Sequence, residues 1–123
     1  MTRYTAHGGN RLPTKKQIKG LDSIPEFTDF TDQLELYHNV VHMYAGGVSG
    51  NSVGTMGNIT ISPADPLFWM HHANIDRIWA HWPQSQAQLP NPSPPANVLD
   101  PWKETVAQLK DIASIAGHAY SYA

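Results

Sequence analysis

Seven histidines occur in the 123 residues, and four of them, His38, His42, His71 and His72, fall between positions 38 and 72. Cysteine is absent, which excludes disulfides, thiolate zinc sites and thiol nucleophiles together. A transition-metal site here must be built from imidazole, carboxylate or water, and imidazole suits copper, zinc, iron and nickel. His38 and His42 are four apart, so on a helix their rings share one face, one turn apart. Such a pair can hold one metal ion, as in the helical HExxH pattern, although no Glu follows His38. Alone, the pair is a weak signal, and two half-buried histidines bonded to backbone are its more ordinary reading. His71 and His72 are adjacent and point about 100° apart on a helix, so only one can share that metal. His72 lines up with Phe68, Ile75 and Trp79, an apolar face expected to look into a core. His71 lines up with Leu67, Asn74 and Ile78. This geometry favours His72 as the third ligand. Asp76, one turn beyond His72, is placed to accept that ligand's other ring N–H, or to pair with Arg77 at the surface.

Two helices must position these side chains. Phe27, Phe30, Leu34, Tyr37, Val41 and Tyr44 recur at steps of three and four, which predicts a helix over 28–45. Ser23 and Glu26 have capping-box spacing, and Gly46-Gly47 stops the helix. Asp65 as N-cap and Pro66 at the first position open a second helix over 66–82, which Pro83 ends. Between them, Val48 to Ala64 is rich in Gly, Ser, Asn and Thr and reads as a long surface loop. Residues 1–22 read as an irregular arm with at most a short strand or a turn of helix. Residues 83–99 form a Pro-rich, stiff connector. Asp100 and Pro101 repeat the capping device and predict a third helix over 101–116, closed by Gly117. The expected class is all-α, one domain with residues 23–82 as the metal-binding helix pair.

Composition narrows the function classes. Eight Lys+Arg against ten Asp+Glu give a net charge of −2, whereas nucleic-acid binding needs a basic footprint. Apolar residues are 41% and charged ones 15%, so a disordered polar chain is excluded. Mean hydropathy is −0.39, and no apolar run approaches the roughly 20 residues of a membrane span. A soluble chain without a signal peptide is expected.

The sequence HNVVH, then GG, a loop containing Met56-Gly57, and DPLFWMHHANIDRIWAHW resembles the second copper-binding half of tyrosinases, catechol oxidases and molluscan-type hemocyanins, the type 3 copper proteins. The resemblance covers roughly Leu34 to Trp82, and DP, F, HH, N, DR and W recur in order within one helix. It implies that His38, His42 and His72 are the three ligands of one copper ion and that His71 is their non-ligand neighbour. It implies that Asn39 helps hold a water that deprotonates a phenol. Glu35 would be that water's acidic partner, although it stands one residue nearer the histidine than the family spacing; Asp29 and Asp32 are the reserves. Phe68 matches a packing residue beneath the copper, and Met43 and the Val48–Met56 loop match the substrate entrance. The family's cysteine–histidine thioether is impossible here.

Type 3 chemistry uses two copper ions, each on three histidines in a four-helix bundle, and nothing before Leu34 resembles the other half. His7 lies in a Gly-rich arm, and His81 and His118 sit at helix C-ends, where cations suit the dipole. The expectation is therefore a homodimer in which two triads face across a twofold axis, with Phe68, Ile75 and Trp79 at or near the interface. A separate chain carrying the other half, or a longer parent protein, would serve the same need. The expected activity is oxidation of o-diphenols, and with them monophenols, by O2. The alternatives are one copper or zinc ion on three histidines with hydrolytic or other lytic chemistry, and O2 binding without turnover.

Overall fold

A computed structural model describes residues 1–83, 98, 101, 103–109, 115 and 120–122. The chain divides into two compact units, Met1–Trp82 and Pro83–Ala123. The first holds α1 (Lys15–Gly20), α2 (Phe27–Gly46), a two-residue hairpin of β1 (Val48–Ser49) and β2 (Ser52–Val53), 3-10 turns at Leu21–Ser23, Thr55–Gly57 and Ser62–Ala64, and α3 (Pro66–His81). No helix among the described residues is long and apolar enough to cross a membrane.

The apolar stripe of α2 meets α3 in one core. Phe30, Leu34, Ile78, Trp82 and Leu21 are its buried members, with Phe27, Tyr37, Ile75 and Trp79 packed against it. Trp82 stands just past the end of α3, stacked on Phe30 at a ring distance of 4.4 Å. Its indole N–H donates to the Ile24 carbonyl at 2.8 Å, so the buried ring leaves no polar atom unpaired. Ile75 and Trp79 pack against this core and are partly buried.

The start of α2 differs from the capping-box expectation. Glu26 is the N-cap but makes no side-chain cap bond, and Ser23 Oγ–H donates to the Gly20 carbonyl instead. The capping box lies at Thr14 and Gln17, opening α1 inside the supposedly irregular arm. At its other end α2 stops on Gly47, whose φ is 66° and whose added Cβ would lie 2.1 Å from the Tyr4 carbonyl oxygen. Only glycine allows that turn and that approach.

The approach matters because the N-terminal arm is a strap. Tyr4 N–H donates to Gly46 O at 2.9 Å, and Val48 N–H donates to Ala6 O at 2.7 Å. Arg3 grips the fully buried Asp65 with Nε at 3.0 Å and Nη2 at 2.6 Å. Asp65 Oδ1 also accepts Leu67 N–H at 2.9 Å as the N-cap of α3. The 48–64 segment is likewise more than a surface loop, since Thr55, Met56 and Ser62 are buried.

In the second unit, Pro101 lies in a turn and helix begins only at Val106, as α4 (Val106–Leu109). Thr105 and Gln108 make the capping contacts there, Gln108 N to Thr105 Oγ1 at 3.3 Å and Thr105 N to Gln108 Oε1 at 2.8 Å. These contacts start the helix later than Asp100-Pro101 predicts. Most of the remainder of the expected 101–116 helix, and most of the 83–99 connector, lie outside the described residues.

Two outcomes follow for stability. Trp82→Ala should lower unfolding free energy by about 3–5 kcal/mol, the cost of truncating a buried aromatic, read as a fall in the urea midpoint. Trp82→Phe should cost less, because it keeps an aromatic ring against Phe30 and loses the bond to Ile24 and only part of the buried volume. The Arg3 hydrogen bonds hold the Asp65 carboxyl below its ordinary 3.8, against the opposing effect of burial. A depressed native value means that the pair's contribution is complete above about pH 4 and fades as pH falls through that value. Asp65→Asn keeps a capping oxygen and should flatten the acid arm of the stability profile relative to the unmodified chain.

Candidate metal centre

Midway along the helix pair, α2 supplies His38 and His42 from adjacent turns and α3 supplies His72 opposite them. His38 Nε2 lies 3.0 Å from His42 Nε2 and 3.1 Å from His72 Nε2. One nitrogen from each ring fits within 4.8 Å of the others.

The far side of each ring fixes its protonation. His42 Nδ1 lies 2.8 Å from the Met56 carbonyl oxygen, and His72 Nδ1 lies 2.7 Å from that of Phe68. A carbonyl only accepts, so both Nδ1 atoms carry the proton and both Nε2 atoms of the neutral rings are left with lone pairs. His38 Nδ1 is shielded from solvent, and Glu35 Oε2 lies 3.3 Å away at ion-pair distance, without hydrogen-bond alignment. That carboxylate favours the proton on Nδ1, which puts a third lone pair into the cluster. Three converging lone pairs repel one another unless a cation sits among them. The donor set thus fits a metal ion, and its three neutral imidazoles suit a copper or zinc site.

His71 is not part of the cluster. Its Nε2 donates to the His38 carbonyl at 3.1 Å, and its ring stacks on His38 at 5.1 Å and 9°. Burial pushes the His71 imidazole down to about 4, against the opposing His38 hydrogen bond, so it is neutral at ordinary pH. Burial also lowers His38, opposed by Glu35. Phe68 lies against His72 at 3.9 Å and edge-on to His42 at 5.9 Å. Asp76 does not take the His72 ring proton, because the Phe68 carbonyl one turn back already holds it. Arg77 bonds Asn74 Oδ1 at 2.9 Å. The carboxylate that does approach a cluster histidine is Glu35, three residues before His38.

Glu35 Oε1 also accepts from Asn39 Nδ2 at 3.1 Å. Both residues line an open cavity of about 460 Å³ with His38, His42, His72 and Phe68, together with Met43, Met56, Ile59 and Pro63. Asp29 and Asp32 are exposed and line neither this cavity nor the cluster. His7 stacks on Tyr44 at 4.0 Å and contacts its carbonyl. His81 Nδ1 contacts the Arg77 carbonyl at 2.8 Å. His118 lies outside the described residues. The contributions of Thr2, Arg3, Thr55 and the Met56 carbonyl went unread in the sequence. A backbone acceptor has no sequence signal, and an Arg–Asp pair 62 residues apart has none either.

A family model described as the common central domain of tyrosinase matches residues 2–85. The chain belongs to the tyrosinase family of type 3 copper proteins. A tyrosinase of Streptomyces lincolnensis is 32% identical over 114 residues, 81% of this chain and 38% of that protein. A tyrosinase of Hahella, HcTyr1, is 45% identical over 75 residues, 60% of this chain and 13% of its own. A hemocyanin of Enteroctopus dofleini is 39% identical over 70 residues, 57% of this chain and 2% of that polypeptide. The chain thus spans well under half the length of these curated relatives. No solved structure matches it significantly. As a tyrosinase-family domain the chain has copper as its expected metal, and the three-imidazole cluster is the set able to take it.

Single replacements should separate the cluster from the other histidines. His38→Ala, His42→Ala and His72→Ala should each abolish retention of copper through gel filtration, measured as metal per chain. His81→Ala should retain it at the level of the unmodified chain.

Proposed function

We propose that this chain is a copper-dependent oxidoreductase that oxidises o-diphenols, and with them monophenols, using O2. The observation carrying the proposal is the convergence of three Nε2 atoms in the lining of a cavity that Glu35 and Asn39 also line. The cavity volume suits a small molecule, and Met43, Ile59, Pro63 and Phe68 give it apolar walls for an aromatic ring. The residue roles follow from chemistry. His38, His42 and His72 would hold copper. Glu35 would accept the proton of an entering phenol, directly or through a water that Asn39 helps to hold, while Asn39 Nδ2 keeps the carboxylate in place. Phe68 would hold the imidazoles in register by packing. Bound as a pair, copper ions supply the redox change, two catechols giving two quinones as one O2 becomes two waters.

The three described imidazoles suffice for one ion, so in this reading a second copy of the chain supplies the other three. Leu36, Trp69 and Met70 are exposed on α2 and α3, and large exposed apolar side chains suit association. Ions in a two-metal site stand about 3.5–4 Å apart, so the second triad must come into direct apposition. The second reading, one ion on one chain, is favoured by the completeness of the triad within a single chain. It gives an uncoupled Cu(II) or a zinc site, with O2 binding or lytic chemistry in place of oxidation.

Copper-loaded protein should oxidise catechol with a specific activity that falls on dilution. Added His42→Ala chains should depress it further by forming inactive heterodimers. Coupled Cu(II) pairs should be silent in electron paramagnetic resonance. A monomer by ultracentrifugation with one paramagnetic copper and no catechol oxidation would overturn the proposal in favour of the single-ion reading. A monomer with full activity would overturn the second-copy part alone.

A further inference from the structure

Two of the three cluster histidines have their far nitrogen fixed by a backbone carbonyl, but the two carbonyls are held in different ways. The Phe68 carbonyl that fixes His72 lies one turn back in the same helix, so α3 alone positions it. The Met56 carbonyl that fixes His42 belongs to the 3-10 turn Thr55–Gly57, outside any long helix. That turn is held from outside. Thr2 N–H donates to Thr55 Oγ1 at 2.7 Å, and Thr55 N–H donates to Thr2 O at 2.7 Å. Gly57 N–H closes the turn on Gly54 O at 2.9 Å, and Gly54 N–H donates to Gly47 O at 3.1 Å. An added Cβ on Gly54 would lie 2.0 Å from Gly46 O and 2.7 Å from Thr2 O, so the arm, the turn and the end of α2 touch backbone to backbone. Met56 itself is buried, which leaves its carbonyl little freedom once Thr55 is held.

We propose that Thr2 and Thr55 are positioning residues for the metal centre: their reciprocal bonds hold the Met56 carbonyl where it keeps the proton of His42 on Nδ1 and leaves Nε2 bare for a metal. The inference rests on the reading of His38, His42 and His72 as metal ligands. It makes the tautomer of one of the three dependent on this contact of the N-terminal arm and leaves the tautomer of His72 to α3. Partners of this kind fix the tautomer and ring orientation of a ligand, and losing one costs about 10–100-fold in metal affinity.

The test uses Thr55→Val, which is nearly the same shape and removes only the hydroxyl, and Thr55→Ser, which restores it. Nitrogen-15 NMR of the metal-free full chain reads the ring tautomers directly. In the unmodified chain His42 and His72 should both be protonated on Nδ1. In Thr55→Val, His42 should shift to a mixture while His72 stays unchanged, and Thr55→Ser should return His42 to the native form. Zn(II) affinity, by competition with a chelating dye, should fall 10–100-fold in Thr55→Val and recover in Thr55→Ser. Coupling is reciprocal, so Zn(II) loading of the unmodified chain should slow hydrogen exchange at the Thr55 amide. If Thr55→Val fails to fold, Thr2→Pro deletes the donor side of the same bond, since proline has no N–H. An unchanged His42 tautomer in a folded variant overturns the proposal, whatever happens to thermal stability. So does an equal change at His72. Failure of the unmodified chain to bind Zn(II) or copper overturns the metal reading instead, and the tautomer comparison on metal-free protein still decides the role of Thr2 and Thr55.

Discussion

Three imidazole nitrogens held within 4.8 Å of one another are the constraint around which the rest is arranged. Left to themselves, neutral imidazoles would turn their lone pairs apart or share protons. Here the Met56 and Phe68 carbonyls hold the opposite nitrogens of His42 and His72, and the Glu35 carboxylate stands near that of His38, which turns the bare nitrogens inward. A cation bound among the bare nitrogens would relieve their mutual repulsion. A ligand that binds only the folded chain stabilises it by mass action. The same arrangement therefore links metal binding to folding.

The helix pair is clamped at three stations. At one end, Phe30 and Leu34 on α2 pack against Ile78 and Trp82 at the far end of α3, which sets the two helices antiparallel. In the middle sit the histidines. At the other end, the arm grips Asp65 at the start of α3 through Arg3 and crosses the end of α2 through the Tyr4–Gly46 bond. A rigid core on one side and a strap on the other hold the helix separation between them, and that separation decides whether His72 can reach His38. The oppositely placed clamps explain why a small unit can hold a site of this kind with no disulfide.

What was legible in the sequence was what repeats or punctuates. The stripe from Phe27 to Tyr44 marked α2 to within a residue at each end, and Asp65-Pro66 marked the start of α3, because helix periodicity and capping are local. The 38/42/72 constellation was legible because i, i+4 spacing and the 100° step of a helix are geometric. The strap was not legible, because Thr2–Thr55 and Arg3–Asp65 join residues more than fifty positions apart and all four partners are polar types common on any surface. The capping box was misplaced because Ser23 and Glu26 carry the same spacing as Thr14 and Gln17. The Leu21–Ser23 turn takes Ser23 for its own carbonyl bond. Asp76 was an attractive orienting group for His72 by spacing, but a helical histidine can reach the carbonyl of the preceding turn, and Phe68 supplies it first.

The adjacent pair His71-His72 shows how one helix turn can serve two opposite needs. His72 must present a bare nitrogen, and its own helix turns the protonated nitrogen away. His71, a hundred degrees round, donates its N–H to the carbonyl of His38 and stacks on that residue's ring. The contact binds α3 to α2 at the backbone of a cluster residue, so the two helices cannot slide without disturbing the cluster. It also works only if His71 is neutral, since an imidazolium stacked on His38 would repel a metal ion a few ångströms away. Burial supplies that neutrality by lowering its affinity for protons. A leucine there would fill the space without the bond, and a lysine would bring the bond with the charge. A half-buried histidine supplies a donor in a ring that can stack and stay uncharged, which is why the position beside a cluster histidine is occupied by a residue that resembles one and acts as a brace.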